Sequence, residues 1–224
     1  QDGDHPYLQP NVNSQEYDGA YIRTLPTGFQ PRTTSSQFNN SSSTYIYMAI
    51  RRGGMQTPTA ASSVFNVSTG VGSDPGYVSG FTVDMAFERN YGSTANTEIA
   101  SRLTGKKVLK INSTDAESTS NNTTFDYMNG FFAGTKGSSE IAWMWKRARG
   151  YFDVVAYTGN SVAGRTINHN LGVAPEMMWF KRRDSADIWT VYHSALGEGK
   201  RLKLHQNTAA EDDDSSFNNT APTS

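Results

Sequence analysis

Short runs of β-branched and aromatic residues, each bounded by polar turn residues, recur through the second half of the chain. The clearest runs are residues 152–157, 177–180 and 188–192, and the segments between them include Thr158-Gly159-Asn160-Ser161 and Asp184-Ser185-Ala186-Asp187. Strands of about five residues joined by short polar turns are typical of antiparallel sheets. The pattern therefore predicts a sheet whose strands follow one another along the chain, with a further extended segment at 165–169.

Several of these runs are apolar on both faces. In residues 177–180, Met177 and Trp179 point to one face, and Met178 and Phe180 point to the other. Such strands are covered on both sides, as in a β-sandwich or between packed modules. Helical turns are expected only at 97–103, 115–118 and 194–199, because no segment sustains a 3.6-residue period. The predicted fold is all-β, with tandem antiparallel β-sandwich-like modules, long polar loops and little helix.

Four segments recur in the same order further along the chain. Residues 45–52, an apolar run that ends in two arginines, match 141–147, and the other matches are 64–67 with 151–154, 84–89 with 177–182, and 106–114 with 200–208. Spacings of about 87 to 96 residues indicate a duplicated module with loop insertions. The alternative is chance similarity between Ser- and Thr-rich strands. The predicted organisation is an N-terminal arm or the tail of a preceding repeat at 1–44, a first β module at 45–140 and a second, truncated module at 141–224.

Smaller features complete this organisation. Within the arm, residues 21–23 predict a short strand and residues 28–31 predict a turn. The chain starts without Met and ends before its second module is closed, so we expect a longer parent protein. An open apolar sheet edge recruits other strands, and we therefore expect missing chain, the arm or another subunit to cover the edge of the second module.

A series of short motifs makes the second half recognisable: FDVVAYTGN, then NHNLGVAPEMMWFKRR, then WTVYH, then Leu-Gly, a Lys/Leu strand and Asn-Thr-Ala-Ala. This series resembles a repeat module of virion proteins of marine bacteriophages, where it occurs in tail-fibre-like and other structural proteins. The similarity is specific over residues 151 to about 210 and weaker over 45–150. The module has no established catalytic residues. The resemblance therefore implies that the protein is part of a virus particle, and it implies no catalysed reaction.

The resemblance implies a structural protein that is assembled in the host cytoplasm and carried in the extracellular virion. The first expectation is a tail-fibre or tail-associated protein that acts in particle assembly and host attachment. A capsid decoration or head fibre protein is one alternative, a glycan-binding, lectin-like adhesion module is another, and a polysaccharide depolymerase is the third. The expected partners are other copies of the chain, with a trimer first, together with other virion proteins and host surface glycans.

Charge and composition remove several function classes. The formal net charge is −1, from 20 basic and 21 acidic residues. This balance gives no electrostatic footprint for nucleic acid or for an anionic membrane, so neither is an expected partner. The chain contains no cysteine, which excludes disulfides and Cys-based zinc sites. It has no apolar run near the roughly 20 residues that span a bilayer.

Catalytic chemistry finds little support in the sequence. The four histidines lack the short spacing of a metal site; they are His5, His169, His193 and His205. His193 with Asp184 or Asp187 suggests a base and its orienting partner, but no serine lies in a nucleophile-elbow pattern to complete a triad. We therefore expect no enzymatic activity and no cofactor.

Two candidate binding sites remain. Aromatic rings stack on sugars, and the candidates are Trp143, Trp145, Trp179 and Trp189. Because all four lie in predicted strands, core packing is the competing interpretation, and at least one of Trp179 and Trp189 is expected to be buried. Carboxylates of an acidic run can bind Ca²⁺, and the candidates are Asp212, Asp213 and Asp214. That run lacks the spacing of a dedicated Ca²⁺ loop, and a solvated acidic loop is the competing interpretation.

Overall fold

The computed structural model describes residues 21–25, 28–45, 47 and 55–224, and the chain divides into two compact units, Gln1–Gly54 and Met55–Ser224. In the first unit, β1 (Ile22–Leu25) and β2 (Gly28–Pro31) form an antiparallel pair. The strand predicted at 21–23 is confirmed as β1. The turn predicted at 28–31 is wrong, because these residues form the second strand, where Pro31 is tolerated at the end of an edge strand. The predicted strand at 45–52 falls largely outside the described residues.

The second unit is built around a six-stranded antiparallel sheet. Its strands, in spatial order, are β3 (Phe65–Thr69), β10 (Glu140–Trp145), β5 (Met85–Asn90), β6 (Glu98–Ser101), β7 (Lys107–Lys110) and β8 (Ser118–Thr119). A 3-10 turn at Ala61–Ser63 precedes β3. Five of these strands follow chain order, and β10 returns to lie between β3 and β5.

One face of this sheet carries the buried core. Small side chains of three strands, Ala86, Ala100 and Ala142, leave room there for the aromatic residues of a two-stranded sheet, β4 (Tyr77–Val78) and β9 (Gly130–Phe131). The rings of Tyr77 and Phe131 lie parallel, with centroids 6.2 Å apart, and both residues are buried. Gly130 is required at this point, since a Cβ atom there would lie 2.5 Å from the carbonyl oxygen of Tyr77.

A four-stranded antiparallel sheet follows in the sequence. It consists of β11 (Met177–Lys181), β12 (Trp189–His193), β13 (Lys200–Lys203) and β14 (Glu211–Asp212), in that order. The strands predicted at 177–180 and 188–192 are therefore confirmed. The two sheets contact each other through the stacked rings of Phe87 and Trp179, 5.5 Å apart. The all-β, sandwich-like antiparallel fold is thus as predicted, and the described part of the chain contains no helix long and apolar enough to cross a membrane.

Strands β5–β8 and β11–β14 form two antiparallel meanders with corresponding registers. Adding 92 to both members of the β5–β6 pair Met85↔Ser101 gives the β11–β12 pair Met177↔His193. Adding 93 to both members of the β7–β8 pair Lys107↔Thr119 gives the β13–β14 pair Lys200↔Asp212. The connections 91–97 and 182–188 are equal in length, and so are 111–117 and 204–210. The predicted module boundary at 140/141 stays a prediction, and β10, which would open the second module, is paired within the first sheet.

Four local predictions are wrong. Residues 152–157 and 165–169 form no strand, and their one ladder contact is an isolated bridge between Ala148 and Phe152. The Asp153 carboxylate accepts hydrogen bonds from the backbone N–H groups of Val154 and Asn170, and such bonds compete with strand pairing. Residues 98–101 form β6 instead of a helical turn because β5 and β7 pair with them on both sides. The helical turn expected at 115–118 is also absent, whereas 194–199 contains hydrogen-bonded turns.

Candidate functional site

Five aromatic rings meet where the six-stranded and the four-stranded sheets of the second unit contact each other. This aromatic cluster consists of Phe65, Phe87, Trp145, Phe152 and Trp179. Trp145 is its centre, with ring centroids 5.0 Å from Phe65, 4.6 Å from Phe87 and 6.2 Å from Phe152. Phe87 connects it to Trp179, whose ring is tilted by only 12° from that of Phe87. All five side chains are partly exposed, so the cluster combines packing between sheets with an accessible aromatic surface.

Strand alternation explains why this surface exists. Successive side chains of a strand point to opposite faces, and in β10 Ala142 and Met144 are fully buried in the core. Trp143 and Trp145 therefore lie on the opposite face. Trp143 is paired with Val67 of β3 on one side and Phe87 of β5 on the other. The face away from the core is consequently an apolar band that crosses three neighbouring strands.

Trp189 differs from the other three tryptophans because it is buried. The residue is 3% exposed, and its indole Nε1 donates a hydrogen bond to the carbonyl oxygen of Lys110 at 2.9 Å. The residue thus ties β12 to the end of β7 in the other sheet. The prediction that at least one of Trp179 and Trp189 is buried is confirmed, and burial removes Trp189 from the rings that a ligand can reach.

Charged groups next to the cluster are paired with one another. Arg147, two residues after Trp145, lies 2.5 Å from Asp153 (Nε to Oδ1), whose side chain is 3% exposed. The second carboxylate oxygen of Asp153 accepts from the backbone and side-chain amides of Asn170. The basic residues that follow β11 are also neutralised: Arg182 pairs with Asp184 and Arg183 with Glu117. These side chains fix loops against strands, and none is left as an isolated charge aimed at a ligand.

A second charged group lies beside the core. The Lys136 ammonium is 3.1 Å from Glu88 and 3.2 Å from Glu140, and it lies 3.9 Å from the ring centroid of Phe132. The Tyr77 hydroxyl donates to Glu88 at 3.2 Å. Burial raises the pKa of Glu88 despite the opposing charge of Lys136, and burial together with the charge of Glu88 raises the pKa of Tyr77.

Burial acts to raise the pKa of Glu140, but the Gly137 N–H and Lys136 together outweigh it and lower this pKa. One cation is therefore shared by two carboxylates at the rim of the core. This arrangement holds two carboxylates and one ammonium against the aromatic side chains around them.

The acidic run is compensated by basic side chains. Asp212 lies 2.6 Å from Lys200, and Asp213 lies 2.8 Å from Arg201. Hydrogen bonds from Ser215 and Ser216 lower the pKa of Asp213. Asp214 is exposed. Across the described residues no group of three or more His, Asp or Glu side chains is placed to hold a metal ion, and the first two candidate Ca²⁺ ligands have cationic neighbours instead.

The histidines are dispersed over the described residues. His193 ends β12, whereas Asp187 precedes the same strand, so the structure does not bring this suggested pair together. The Nδ1 atom of His193 accepts the backbone N–H of Ala195. His169 contacts the backbone through both ring nitrogens, at Leu171 and at Thr223. His5 lies outside the described residues.

The sequence did not identify most of the residues that gather around Trp145. Phe65 and Phe87 come from segments far from Trp145 in the chain, and only the strand registers place them beside it. Phe152 follows Trp145 by seven residues and is held near it by an isolated bridge to Ala148. The sequence of β5 does indicate the orientation of Phe87. This residue alternates with Ala86 and Glu88, so its side chain lies on the face opposite the core. The Glu88–Lys136–Glu140 group gave no comparable signal, because Lys136 lies in a connecting segment.

These features define an all-β protein with sandwich-like antiparallel sheets and a partly exposed aromatic surface. Residues 60–224 match the family described as "Domain of unknown function (DUF7483)", and the chain belongs to this family. No curated protein and no solved structure matches the chain. Function must therefore be argued from the residues themselves.

Proposed function

We propose that the protein is a structural component of a bacteriophage virion, a tail-fibre or tail-associated protein that acts in particle assembly and host attachment. The proposal is carried by the ordered motifs between residues 151 and about 210, which resemble a module of marine phage virion proteins. The charged groups beside the aromatic cluster are paired with one another, whereas the rings of the cluster stay partly exposed. Such a surface suits contact with other macromolecules, because aromatic rings give large contact areas at low entropic cost.

The proposal includes a duplicated module as the building unit. Its support is the correspondence of the two meanders, β5–β8 and β11–β14, in strand order, register and two of three connection lengths. Repeated modules present equivalent surfaces at regular positions along one chain. A protein of this kind functions by packing against its neighbours, and it needs no catalytic residue or cofactor for that role.

Immunogold electron microscopy tests the location. Antibodies raised against residues 55–224 are applied to intact particles of the phage whose genome carries the gene. Gold at the tail or its fibres is the expected result. Gold distributed over the head would support the alternative of a capsid decoration or head fibre protein and overturn the tail assignment. Particles that carry no gold, while denatured virion protein also fails to react on a blot, would overturn the virion proposal.

A lectin-like role in host attachment is the second candidate, and the exposure of Trp145 and Trp179 favours it. Partly exposed indole faces are suitable platforms for sugar rings. The test is calorimetric titration with polysaccharide purified from the host surface. Trp179→Ala should reduce binding at least tenfold, whereas Leu196→Ala, which alters an exposed residue in the turn after β12, should not. Equal binding by both variants, or no binding by the parent, would overturn this role.

A further inference from the structure

Strand β11 is an open edge of the four-stranded sheet. It pairs with β12 alone among the described strands. The backbone N–H of Ser194 donates to the carbonyl oxygen of Glu176 at 2.8 Å, which fixes the phase of the ladder. Because hydrogen-bonded and non-hydrogen-bonded pairs alternate in antiparallel sheets, the backbone groups of Met178 and Phe180 also face β12. Those of Met177, Trp179 and Lys181 therefore point outwards, away from the sheet.

The corresponding edge in the first meander is occupied. There β5 pairs with β6 on one side and with β10 on the other, and Phe87 lies opposite Trp143 of β10. Phe87 and Trp179 hold equivalent positions, since the β5–β6 and β11–β12 registers differ by 92 in both strands. The β11 edge therefore corresponds to the β5 edge, which pairs with an antiparallel strand. In that pair Trp143 lies opposite Phe87.

We propose that the β11 edge is a self-association site, at which β11 of a second copy of the chain pairs antiparallel with it across a two-fold axis at Trp179. The outward backbone groups then bond in three pairs: Met177 with Lys181 of the second copy, Trp179 with Trp179, and Lys181 with Met177. The two four-stranded sheets become one continuous sheet. Each Trp179 then lies opposite Trp179 of the other copy, as Trp143 lies opposite Phe87 in the first sheet.

Charge complementarity selects this partner and this register. With the axis at Trp179, Glu176 of each copy lies opposite Arg182 of the other copy, and directly opposed charges of unlike sign stabilise a strand pair. Both residues are exposed; the Arg182 side chain is 56% exposed although it also pairs with Asp184 of its own chain, and this exposure leaves it accessible to a second carboxylate. Sliding one copy by two residues in one direction places Glu176 opposite Asp184, an unfavourable pair. Sliding in the other direction places it opposite Phe180 and brings Lys181 opposite Pro175, which has no N–H to donate.

Charge reversal of the full chain tests the register. Glu176→Arg and Arg182→Glu each place like charges opposite each other at both ends of the pair, so each should weaken self-association at least tenfold. The double variant, which carries both changes, should restore the parent dissociation constant to within about threefold, since the two opposite-charge pairs are formed again with exchanged sides. Sedimentation velocity over a concentration series supplies the constants. A double variant as weak as the single variants would overturn the proposal.

Removal of one outward N–H group tests the backbone contact. Met177→Pro deletes an N–H that β12 does not use, and proline is accepted on an edge strand when its N position faces outwards. This variant should be monomeric with the parent circular dichroism spectrum, whereas the matched control Met177→Ala should associate as the parent does. Association of Met177→Pro with the parent dissociation constant would overturn the proposal. So would a parent that stays monomeric at about 100 µM or sediments with the mass of a trimer, the state expected from the phage resemblance. None of these outcomes bears on the virion proposal, which the immunogold experiment tests separately.

Discussion

Trp189→Ala should be among the most destabilising single substitutions in the second unit. The residue is 3% exposed, and its indole Nε1 donates to the carbonyl oxygen of Lys110 in the other sheet at 2.9 Å. Truncation of a buried tryptophan costs about 3–5 kcal/mol in free energy of unfolding, because apolar burial is lost and a cavity remains. For a unit of this size each kcal/mol lowers the melting temperature by about 2–4 °C, so we expect a decrease of roughly 6–20 °C.

Urea unfolding followed by circular dichroism measures this cost without relying on tryptophan fluorescence, which the substitution itself changes. Trp189→Phe separates the two contributions: it keeps most of the buried ring but leaves the Lys110 carbonyl without its donor, and should cost about 1–3 kcal/mol. Trp143→Ala, at a partly exposed position on β10, should cost less than Trp189→Ala. A Trp189→Ala protein within about 1 kcal/mol of the parent would refute the inference that this indole holds the two sheets together, because ordinary surface substitutions already change the free energy of unfolding by up to about 0.5 kcal/mol.

Three further predictions follow from other contacts. Burial raises the pKa of Glu88. The folded protein therefore binds the proton of the Glu88 carboxyl group more tightly than the unfolded chain does. The contribution of Glu88 to stability should consequently fall as the pH rises from the ordinary carboxyl pKa through the raised one. Urea unfolding from about pH 4 to 8 should show that this decline is missing in Glu88→Gln; a parent and variant with parallel profiles would contradict it. Gly130→Ala should lower the melting temperature because its Cβ would meet the Tyr77 carbonyl at 2.5 Å, whereas Gly159→Ala, with no atom within 4 Å, should not; equal melting temperatures would show that the β4–β9 pair tolerates the added carbon. Asp153→Ala should speed hydrogen exchange at Val154 and Asn170, which donate to this carboxylate, and unchanged protection there would exclude the anchoring role.

The parts of the fold that sequence predicts well are those encoded locally. The strands β11 and β12 are recognisable because apolar runs stand between clear turn residues, and their short connection leaves an antiparallel pair as the simple arrangement. The expectation that at least one of Trp179 and Trp189 is buried follows from the same reasoning, whereas the choice of Trp189 does not. Residues 152–157 have an equally good strand composition, yet they form no strand, because strand formation depends on a partner and β propensity alone does not supply one.

The parts that sequence does not predict depend on long-range pairing. Nothing in residues 140–145 indicates that β10 lies between β3 and β5, and this placement creates both the core face and the aromatic cluster. The same applies to β6, whose composition suggested a helical turn and whose two neighbours make it a strand. For the candidate site, the tryptophans were recognisable by residue type, whereas their phenylalanine partners required the register.

The most direct test of the central claim, that this β protein is a structural part of a virus particle, is its copy number in purified virions. Quantitative mass spectrometry can compare its peptides with those of the major capsid protein through successive density-gradient steps. The account predicts a ratio that stays constant through every step, at a small fixed number of copies per particle for a tail protein. A ratio that falls towards zero as the particles become purer would contradict it.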